Sequence, residues 1–176
     1  MKIYYDSSLI TGLGNSFLFL DTTAFIAALN YKKEFGALFK ELKGQGCNFL
    51  TIPSVFFEFT RGSDSLTSFR ARAKFLTELA DIWPVERYLD QIEEAMVVLQ
   101  RLGDRQMSYT DFLLCACLYK FPTGYLLTEN HHHIPTQVFE RKAVITVDTD
   151  KDIRNNIVFQ FSKSKFAKAA VEILRK

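Results

Sequence analysis

The sequence predicts an α/β fold in which a central, mainly parallel sheet carries helices on both faces, a three-layer α/β/α sandwich. Short apolar runs that suit strands alternate along the chain with longer segments of helical periodicity. The first run, residues 17–20, has no polar alternation, which is typical of a strand buried on both faces of a parallel sheet. Because such sheets bind ligands beyond the carboxyl ends of their strands, the residues that follow the strands are the first candidates for a functional site.

Strand and helix candidates follow one another through the whole chain. The strand candidates are residues 17–20, 48–52, 81–85, 124–128, 143–147 and 156–161. The helical candidates are residues 22–29, 34–42, 53–61, 65–80, 88–102, 108–119 and 163–174. The helical segments place apolar residues on one face, and Gly or Pro marks several boundaries, such as Gly44, Pro53 and Gly103. Residues 1–15 predict a loose arm or a short extra strand.

The composition favours one globular domain. Of the 176 residues, 48% are apolar and 17 are Phe, which is enough to build a hydrophobic core. No apolar run reaches the roughly 18 residues of a membrane helix, and residues 1–6 lack the apolar core of a signal peptide. The cysteines number three, and Cys115 and Cys117 face different sides of a helical segment, which predicts neither a disulfide framework nor a zinc site. We therefore expect a cytoplasmic protein without a membrane partner.

The overall charge does not indicate a nucleic-acid partner by itself. The net charge is only +2, so there is no bulk electrostatic attraction to a phosphate backbone. Basic residues do gather in segments 61–74 and 163–176. Such clusters are usually solvated helix faces, so charge leaves an RNA-binding role open.

A carboxylate stands directly after the first predicted strand. Asp21 is poorly placed for packing there and well placed to bind a cation. The alternative is that Asp21 or Thr22 only caps the following helix, since both residue types are favoured caps. The stretch by itself favours the cap, so other residues have to decide between the two.

Two further carboxylates lie on helical segments that are otherwise apolar. Glu58 is flanked by Phe residues, and a carboxylate in such surroundings needs a partner or a cation. Arg61, about one helical turn further on, is the alternative partner. Asp111 follows Ser108 by three residues, which is the spacing of a capping box. In a compact α/β fold, the amino end of its helix also comes near the carboxyl edge of the sheet.

The strand candidate at residues 124–128 is followed by Glu129 and Asn130, as the first strand is followed by Asp21. Polar groups at two strand ends of one parallel sheet can converge on one crevice. A set of three carboxylates and an amide has only oxygen ligands to offer, which suits Mg²⁺ or Mn²⁺. Two such ions can activate water and stabilise the leaving oxygen in phosphodiester cleavage.

Four segments resemble, in the same order, those of the PIN domain nucleases. They are residues 19–25 (FLDTTAF), 52–58 (IPSVFFE), 108–116 (SYTDFLLCA) and 125–130 (YLLTEN). Each segment is weak singly, whereas four in order with family-like gaps are fairly specific. The resemblance covers about residues 16–147, the core of a single PIN-like domain over residues 1–176. An N-terminal arm and a C-terminal helical extension complete this domain.

The resemblance implies a PIN-like α/β/α sandwich and a metal-dependent endoribonuclease that hydrolyses RNA phosphodiester bonds with Mg²⁺ or Mn²⁺. It makes Asp21, Glu58 and Asp111 the catalytic metal ligands and Asn130 a supporting catalytic residue. The family often has a fourth acid where this chain has Asn130, whose carbonyl oxygen can still face a metal or its water. Many compact PIN proteins are toxins held by small antitoxins, which suggests an antitoxin-like partner and a homodimer. This chain is longer than the minimal toxin type.

Neighbouring polar residues carry weaker expectations. Thr22 and Thr128 are expected to orient waters at the site. The three consecutive histidines, His131, His132 and His133, are the only ones in the chain. Because they point in different directions, we expect a solvated loop that touches RNA phosphate, and not a zinc site.

Two other functions stay open at this point. A PIN fold that lacks one acid could be a weakened or inactive module that binds RNA or a protein. An Asp-based phosphatase of the haloacid dehalogenase type is the third reading. It needs a second acid two residues after the strand-end Asp, where this chain has Thr23.

Overall fold

The computed structural model describes residues 2–102, 107–148 and 153–174. Its strands are β1 (Lys2–Tyr4), β2 (Phe17–Leu20), β3 (Asn48–Thr51), β4 (Asp81–Ile82), β5 (Tyr125–Thr128), β6 (Phe139–Asp148) and β7 (Ile153–Phe161). Its α-helices are α1 (Ser7–Gly12), α2 (Thr22–Asn30), α3 (Lys32–Gly44), α4 (Pro53–Arg61), α5 (Leu66–Leu79), α6 (Leu89–Leu102), α7 (Tyr109–Lys120) and α8 (Lys163–Leu174). Two short 3₁₀ helices cover Val85–Tyr88 and His131–His133.

The described strands form one mixed sheet in the order β1-β6-β7-β5-β2-β3-β4. Strands β5, β2, β3 and β4 are parallel, whereas β7, β6 and β1 continue the sheet with antiparallel pairings. The expected parallel sheet is therefore found in the half that carries Asp21. The other half is built by the long β6–β7 hairpin, whose first strand begins four residues before the predicted one. Residues 139–142, which extend the predicted strand, include charged, partly exposed side chains and therefore lack the apolar pattern from which a strand is predicted.

The helices cover the sheet in two groups. The chain passes from β2 through α2 and α3 to β3, and from β3 through α4 and α5 to β4, moving in one direction across the sheet. It then returns through α6 and α7 to β5, on the other side of β2. Because such parallel connections are right-handed, these two groups lie on opposite faces. The arrangement is compatible with the predicted α/β/α sandwich.

The connections of the sheet change direction between β2 and β5. The chain leaves β2 toward β3, whereas β5 lies against the other edge of β2. A crevice at the carboxyl ends of two such strands is the usual ligand site of an open α/β sheet. Asp21 directly follows β2, and Thr128 is the last residue of β5.

Helix α7 is the most deeply buried helix near this crevice. Residues 113–118 are all buried, because α7 packs against α6 on one side and against β5 and β7 on the other. An acid in its first turn is therefore held against the sheet. The three cysteines are free and buried. In the described ranges, no helix combines the length and the apolar character needed to cross a membrane.

The chain termini match the sequence-based expectation only in part. Strand β1 is the predicted short extra strand, and α1, capped by Asp6, was not predicted. Strand β7 lies between β5 and β6, so the sheet continues beyond the segment 16–147 that the resemblance covers. The predicted strand at 81–85 is shortened to β4, after which a 3₁₀ helix begins. The helix break at Gly103 and the basic residues 175–176 lie outside the described residues.

Candidate active site at the carboxyl ends of β2 and β5

Asp21 is almost completely buried, with 3% of its surface exposed. Its carboxylate accepts hydrogen bonds from the backbone nitrogen of Ala24 at 2.7 Å, from Thr23 Oγ1 at 2.8–2.9 Å and from Thr128 Oγ1 at 2.5 Å. The first bond makes Asp21 the N-cap of α2, as the cap alternative predicted. The bond from Thr128 comes from the neighbouring strand and is not part of a cap. Asp21 therefore joins the two central strands as well as beginning a helix.

Burial makes the charged form of Asp21 unfavourable. The pKa of the carboxyl is raised from 3.8 to about 6, with burial as the largest cause and the nearby charge of Asp111 acting in the same direction. The hydrogen bonds from Thr128, Ala24 and Thr23 act in the opposite direction but do not cancel the effect of burial. A cation beside Asp21 would favour the ionised form and relieve this penalty.

Glu58 lies on α4 and connects the two other elements of the site. Thr22 Oγ1 donates a hydrogen bond to one carboxylate oxygen at 2.6 Å, and Thr110 Oγ1 donates to the other. These two threonines are the chain neighbours of Asp21 and Asp111. Glu58 is thus anchored to the first turns of α2 and α7.

Arg61 is not the partner of Glu58. Across residues 2–102, 107–148 and 153–174, no Lys or Arg forms an ion pair with Asp21, Glu58 or Asp111. Their bonding partners there are hydroxyl, amide and imidazole groups. The negative charge of the three carboxylates is therefore not balanced by a nearby basic side chain in this part of the chain.

Asp111 occupies the first turn of α7, where its backbone nitrogen donates to Ser108 Oγ at 3.0 Å. Ser108 therefore caps the helix, as the capping-box spacing predicted. The Asp111 carboxylate faces the end of β5, where Asn130 Nδ2 lies 3.2 Å from its Oδ2. Asn130 is itself held to β5, because its backbone nitrogen donates to Thr128 Oγ1 at 2.9 Å. The same threonine thus contacts both Asp21 and Asn130.

The histidine segment is a 3₁₀ turn, and its third member faces the site. His133 Nδ1 lies 3.1 Å from Asn130 Nδ2 and 3.6 Å from Asp111 Oδ2. The rings of His131 and His132 instead pack on each other, with their centroids 4.1 Å apart. No residue of the expected solvated loop is buried, and His133, whose side chain is 22% exposed, contacts the site.

Asp21, Asn130 and Asp111 belong to one hydrogen-bonded chain, and Glu58 is bonded to the sequence neighbours of Asp21 and Asp111. Hydrogen bonds link Asp21 to Asn130 through Thr128, link Asn130 to Asp111, and tie Glu58 to Thr22 and Thr110. The described residues nevertheless contain no group of three or more His, Cys, Asp or Glu side chains arranged to hold a metal ion. The three-carboxylate ligand set therefore stays a prediction.

The donor chemistry of the network fits a hard divalent ion. Carboxylate and amide oxygens are the ligands that Mg²⁺ and Mn²⁺ prefer. The carboxylates lack basic counter-charges in the described part of the chain, and the burial of Asp21 favours a bound cation. Threonine hydroxyls donate to several of the carboxylate oxygens. A bound ion therefore has to share these oxygens with the hydroxyls or displace the hydroxyls.

Threonines are the site residues that the sequence indicated least well. Thr22 and Thr128 were expected to orient waters, and here they bond directly to Glu58 and Asp21. Thr23 and Thr110 were missed. Thr23 bonds to Asp21 and also accepts the backbone N–H of Glu129 at 2.9 Å. The available signal was that each of these threonines lies within two residues of a candidate residue.

Two large aromatic side chains that are next in sequence to site residues are exposed to solvent. Phe57 and Tyr109 are each 67% exposed. They are the chain neighbours of Glu58 and Thr110, which are bonded to each other. Exposed aromatic rings are surfaces on which bases of a single strand can stack.

Comparison of the chain with protein-family models, with curated proteins and with solved structures found no match in any of the three. The resemblance to PIN domain nucleases therefore depends on the four sequence segments alone. Membership of that family stays a prediction.

Proposed function

We propose that the protein is a metal-dependent endoribonuclease that hydrolyses RNA phosphodiester bonds. In this proposal Asp21, Glu58 and Asp111 hold Mg²⁺ or Mn²⁺, and Asn130 supports the site. The observation that carries the proposal is Asp21, a buried acid with a raised pKa at the carboxyl end of β2. It has no basic partner among the described residues, which favours a role in binding a cation over a structural ion pair.

The remaining side chains position the acids. Thr23 and Thr128 fix the orientation of the Asp21 carboxylate, and Thr22 and Thr110 do the same for Glu58. A bound divalent ion supplies an acidified water and stabilises charge on the phosphoryl oxygens. Because these threonines belong to α2, β5 and α7, the positions of the acids depend on how the helices pack on the sheet.

The exposed rings of Phe57 and Tyr109 support an RNA strand as the substrate. Stacking of a base on such a ring contributes about 1–3 kcal/mol and requires an unpaired base. Phe57 and Tyr109 are next in sequence to Glu58 and Thr110, which are hydrogen-bonded to each other. The antitoxin-like partner and the homodimer rest on the family resemblance alone.

A binding module is the second candidate function. The described part of the chain has no preformed group of three metal-ligating acids, histidines or cysteines, which favours a protein that binds RNA or a partner without cutting it. The two functions differ in their response to metal. A module retains its RNA binding in the absence of divalent ions and yields no cleavage products when Mn²⁺ is added.

The deciding experiment measures Mn²⁺-dependent cleavage of an end-labelled, unstructured RNA by the wild type, by Asp21→Asn and by Asp6→Asn. Asp6 is the matched control, because it also caps a helix through its carboxylate but is exposed and directly precedes α1. We expect Asp21→Asn to lose at least about 100-fold in cleavage rate, the upper end for loss of a group that supports a metal. Asp6→Asn should keep the wild-type rate. Equal activity of wild type and Asp21→Asn removes Asp21 from the chemistry.

A further inference from the structure

Three polar groups beside the end of β5 lie at the corners of a small triangle. They are the carboxylate Oδ2 of Asp111, the side-chain amide of Asn130 and the imidazole Nδ1 of His133. The separations are 3.2 Å from Asp111 to Asn130, 3.1 Å from Asn130 to His133 and 3.6 Å from Asp111 to His133. The sequence predicted no metal-binding role for the histidine.

We propose that His133 is a metal ligand, and that Asp111, Asn130 and His133 together bind one face of a divalent transition-metal ion such as Mn²⁺ or Co²⁺. This inference rests on the proposed function, because Asp111 is shared with the nuclease site. It adds a nitrogen ligand to a site that the sequence predicted to offer only oxygen. It also specifies the class of ion, which the sequence left open between Mg²⁺ and Mn²⁺.

The dimensions of the triangle fit a coordination sphere. Protein ligands lie about 2.0–2.2 Å from such ions, and adjacent ligands on one ion are then about 3.0–3.5 Å apart. The three observed separations match this range to within about 0.1 Å, so an ion about 2.1 Å from each atom lies slightly outside their plane. Only two of the three groups are an acid or a histidine. The triangle is therefore consistent with the lack of any group of three such side chains in the described ranges.

Asn130 can hold Asp111 and His133 together both without a metal ion and with one bound. In the structure its Nδ2 points toward Asp111 Oδ2 and His133 Nδ1, both of which can accept its hydrogens. A half-turn of the amide about its terminal bond exchanges the nitrogen for the carbonyl oxygen at nearly the same place. An ion then replaces the two amide hydrogens as the group that holds Asp111 and His133 together.

The local backbone explains why His133 faces the site and the other histidines do not. Asn130 is the N-cap of the 3₁₀ helix His131–His133. In a 3₁₀ helix the side chains three positions apart lie above one another, which puts His133 over Asn130. The turn places His131 and His132 on other sides, where their rings pack together.

A neutral imidazole changes which ions bind best. Mg²⁺ prefers oxygen ligands and water, whereas imidazole suits later first-row ions, whose affinities rise from Mn²⁺ to Co²⁺. We therefore expect the order of affinity Co²⁺, then Mn²⁺, then Mg²⁺. Removal of the imidazole should weaken the first two ions and leave Mg²⁺ almost unchanged.

The test is calorimetric titration of the wild type, His133→Ala and His132→Ala with Co²⁺, Mn²⁺ and Mg²⁺, at a pH of about 7.5, above the pKa of an ordinary imidazole. We expect His133→Ala to weaken Co²⁺ and Mn²⁺ binding at least about 10-fold. The change for Mg²⁺ should stay within about twofold, as expected when an oxygen-preferring ion loses no oxygen ligand. His132→Ala is the matched control and should bind all three ions as the wild type does.

Proton NMR of the Co²⁺-loaded protein gives a second readout, which does not depend on measured affinities. A coordinated His133 produces an exchangeable, strongly shifted imidazole N–H resonance, which is absent from His133→Ala and present in His132→Ala. Wild-type affinities in His133→Ala, or a Co²⁺-loaded protein without the shifted resonance, overturn the role of His133 and leave the nuclease proposal standing. Failure of the wild type to bind any of the three ions overturns both proposals.

Discussion

Asp21 is expected to make the folded protein less stable as the pH rises from 4 to 7. Its pKa is about 6 in the folded state, against 3.8 for an ordinary Asp. The folded state therefore keeps a proton at this carboxyl that the unfolded state has already lost. The stabilisation is fully present below the unfolded pKa of 3.8, falls as the pH rises, and is gone once the pH exceeds about 6.

The size of the effect follows from the difference between the two pKa values. A rise from 3.8 to about 6 corresponds to about 3 kcal/mol, a large fraction of the 5–15 kcal/mol that is typical of a folded domain. Asp21→Asn has no charge to bury and keeps a favoured N-cap residue. Because the unfolded carboxyl is already more than half ionised at pH 4, the free energy of unfolding of Asp21→Asn, relative to that of the wild type, should increase by about 2.4 kcal/mol between pH 4 and pH 7.5.

Urea unfolding at pH 4, 5, 6, 7 and 7.5 measures this difference for the wild type and Asp21→Asn, with Asp6→Asn as the control. Comparison of variants at each pH cancels the titration of groups that they share. Asp6 is exposed and is not expected to show the same rise. A difference between Asp21→Asn and wild type that stays constant over this pH range would refute the reasoning, since burial would then not penalise the Asp21 charge.

The same urea unfolding, repeated with a divalent ion, tests whether the ion binds near Asp21. An ion that binds only the folded state raises the free energy of unfolding by about 2.7 kcal/mol when its concentration is 100 times its dissociation constant. Saturating Mn²⁺ should therefore offset most of the instability of the wild type at pH 7.5, because a cation favours the ionised Asp21. Asp21→Asn should gain much less. An equal gain in both proteins would show that the ion binds away from Asp21.

Two further predictions concern the surface and the core. Phe57→Ala and Tyr109→Ala should each weaken binding of an unstructured RNA by about 5- to 150-fold, the equivalent of about 1–3 kcal/mol per stacked base. The control Leu66→Ala removes another exposed apolar side chain and should bind the RNA as tightly as the wild type, as measured by fluorescence anisotropy. An equal loss of RNA affinity in all three variants would indicate a general apolar surface instead of stacking. Asn156 is fully buried, and neither of its amide atoms has a hydrogen-bond partner in the described part of the chain. Asn156→Leu should therefore raise the free energy of unfolding by about 1–3 kcal/mol, as measured by urea titration. A destabilised Asn156→Leu would mean that the amide is satisfied in solution.

The sequence by itself determined the local features of the site. An unbroken apolar run followed by Asp and Thr predicted both the strand and the helix cap at Asp21, and both are found. The spacing of Ser108 and Asp111 predicted the capped start of α7. These features depend on neighbours within one helical turn or one strand, and periodicity and capping preferences record such neighbours directly.

The tertiary structure alone decided which groups meet. The sequence suggested Arg61, about one helical turn away, as the partner of the Glu58 carboxylate. In the structure its hydrogen-bond partners are Thr22 and Thr110, which are 36 and 52 residues away along the chain. In the same way β7, which comes after the residues that match the family, enters the sheet between β5 and β6. The position of His133 beside Asp111 also required the fold, because α7 and the end of β5 come together only when α7 packs on the sheet. Contacts between distant segments depend on the packing of whole elements, and no local pattern of residues specifies them.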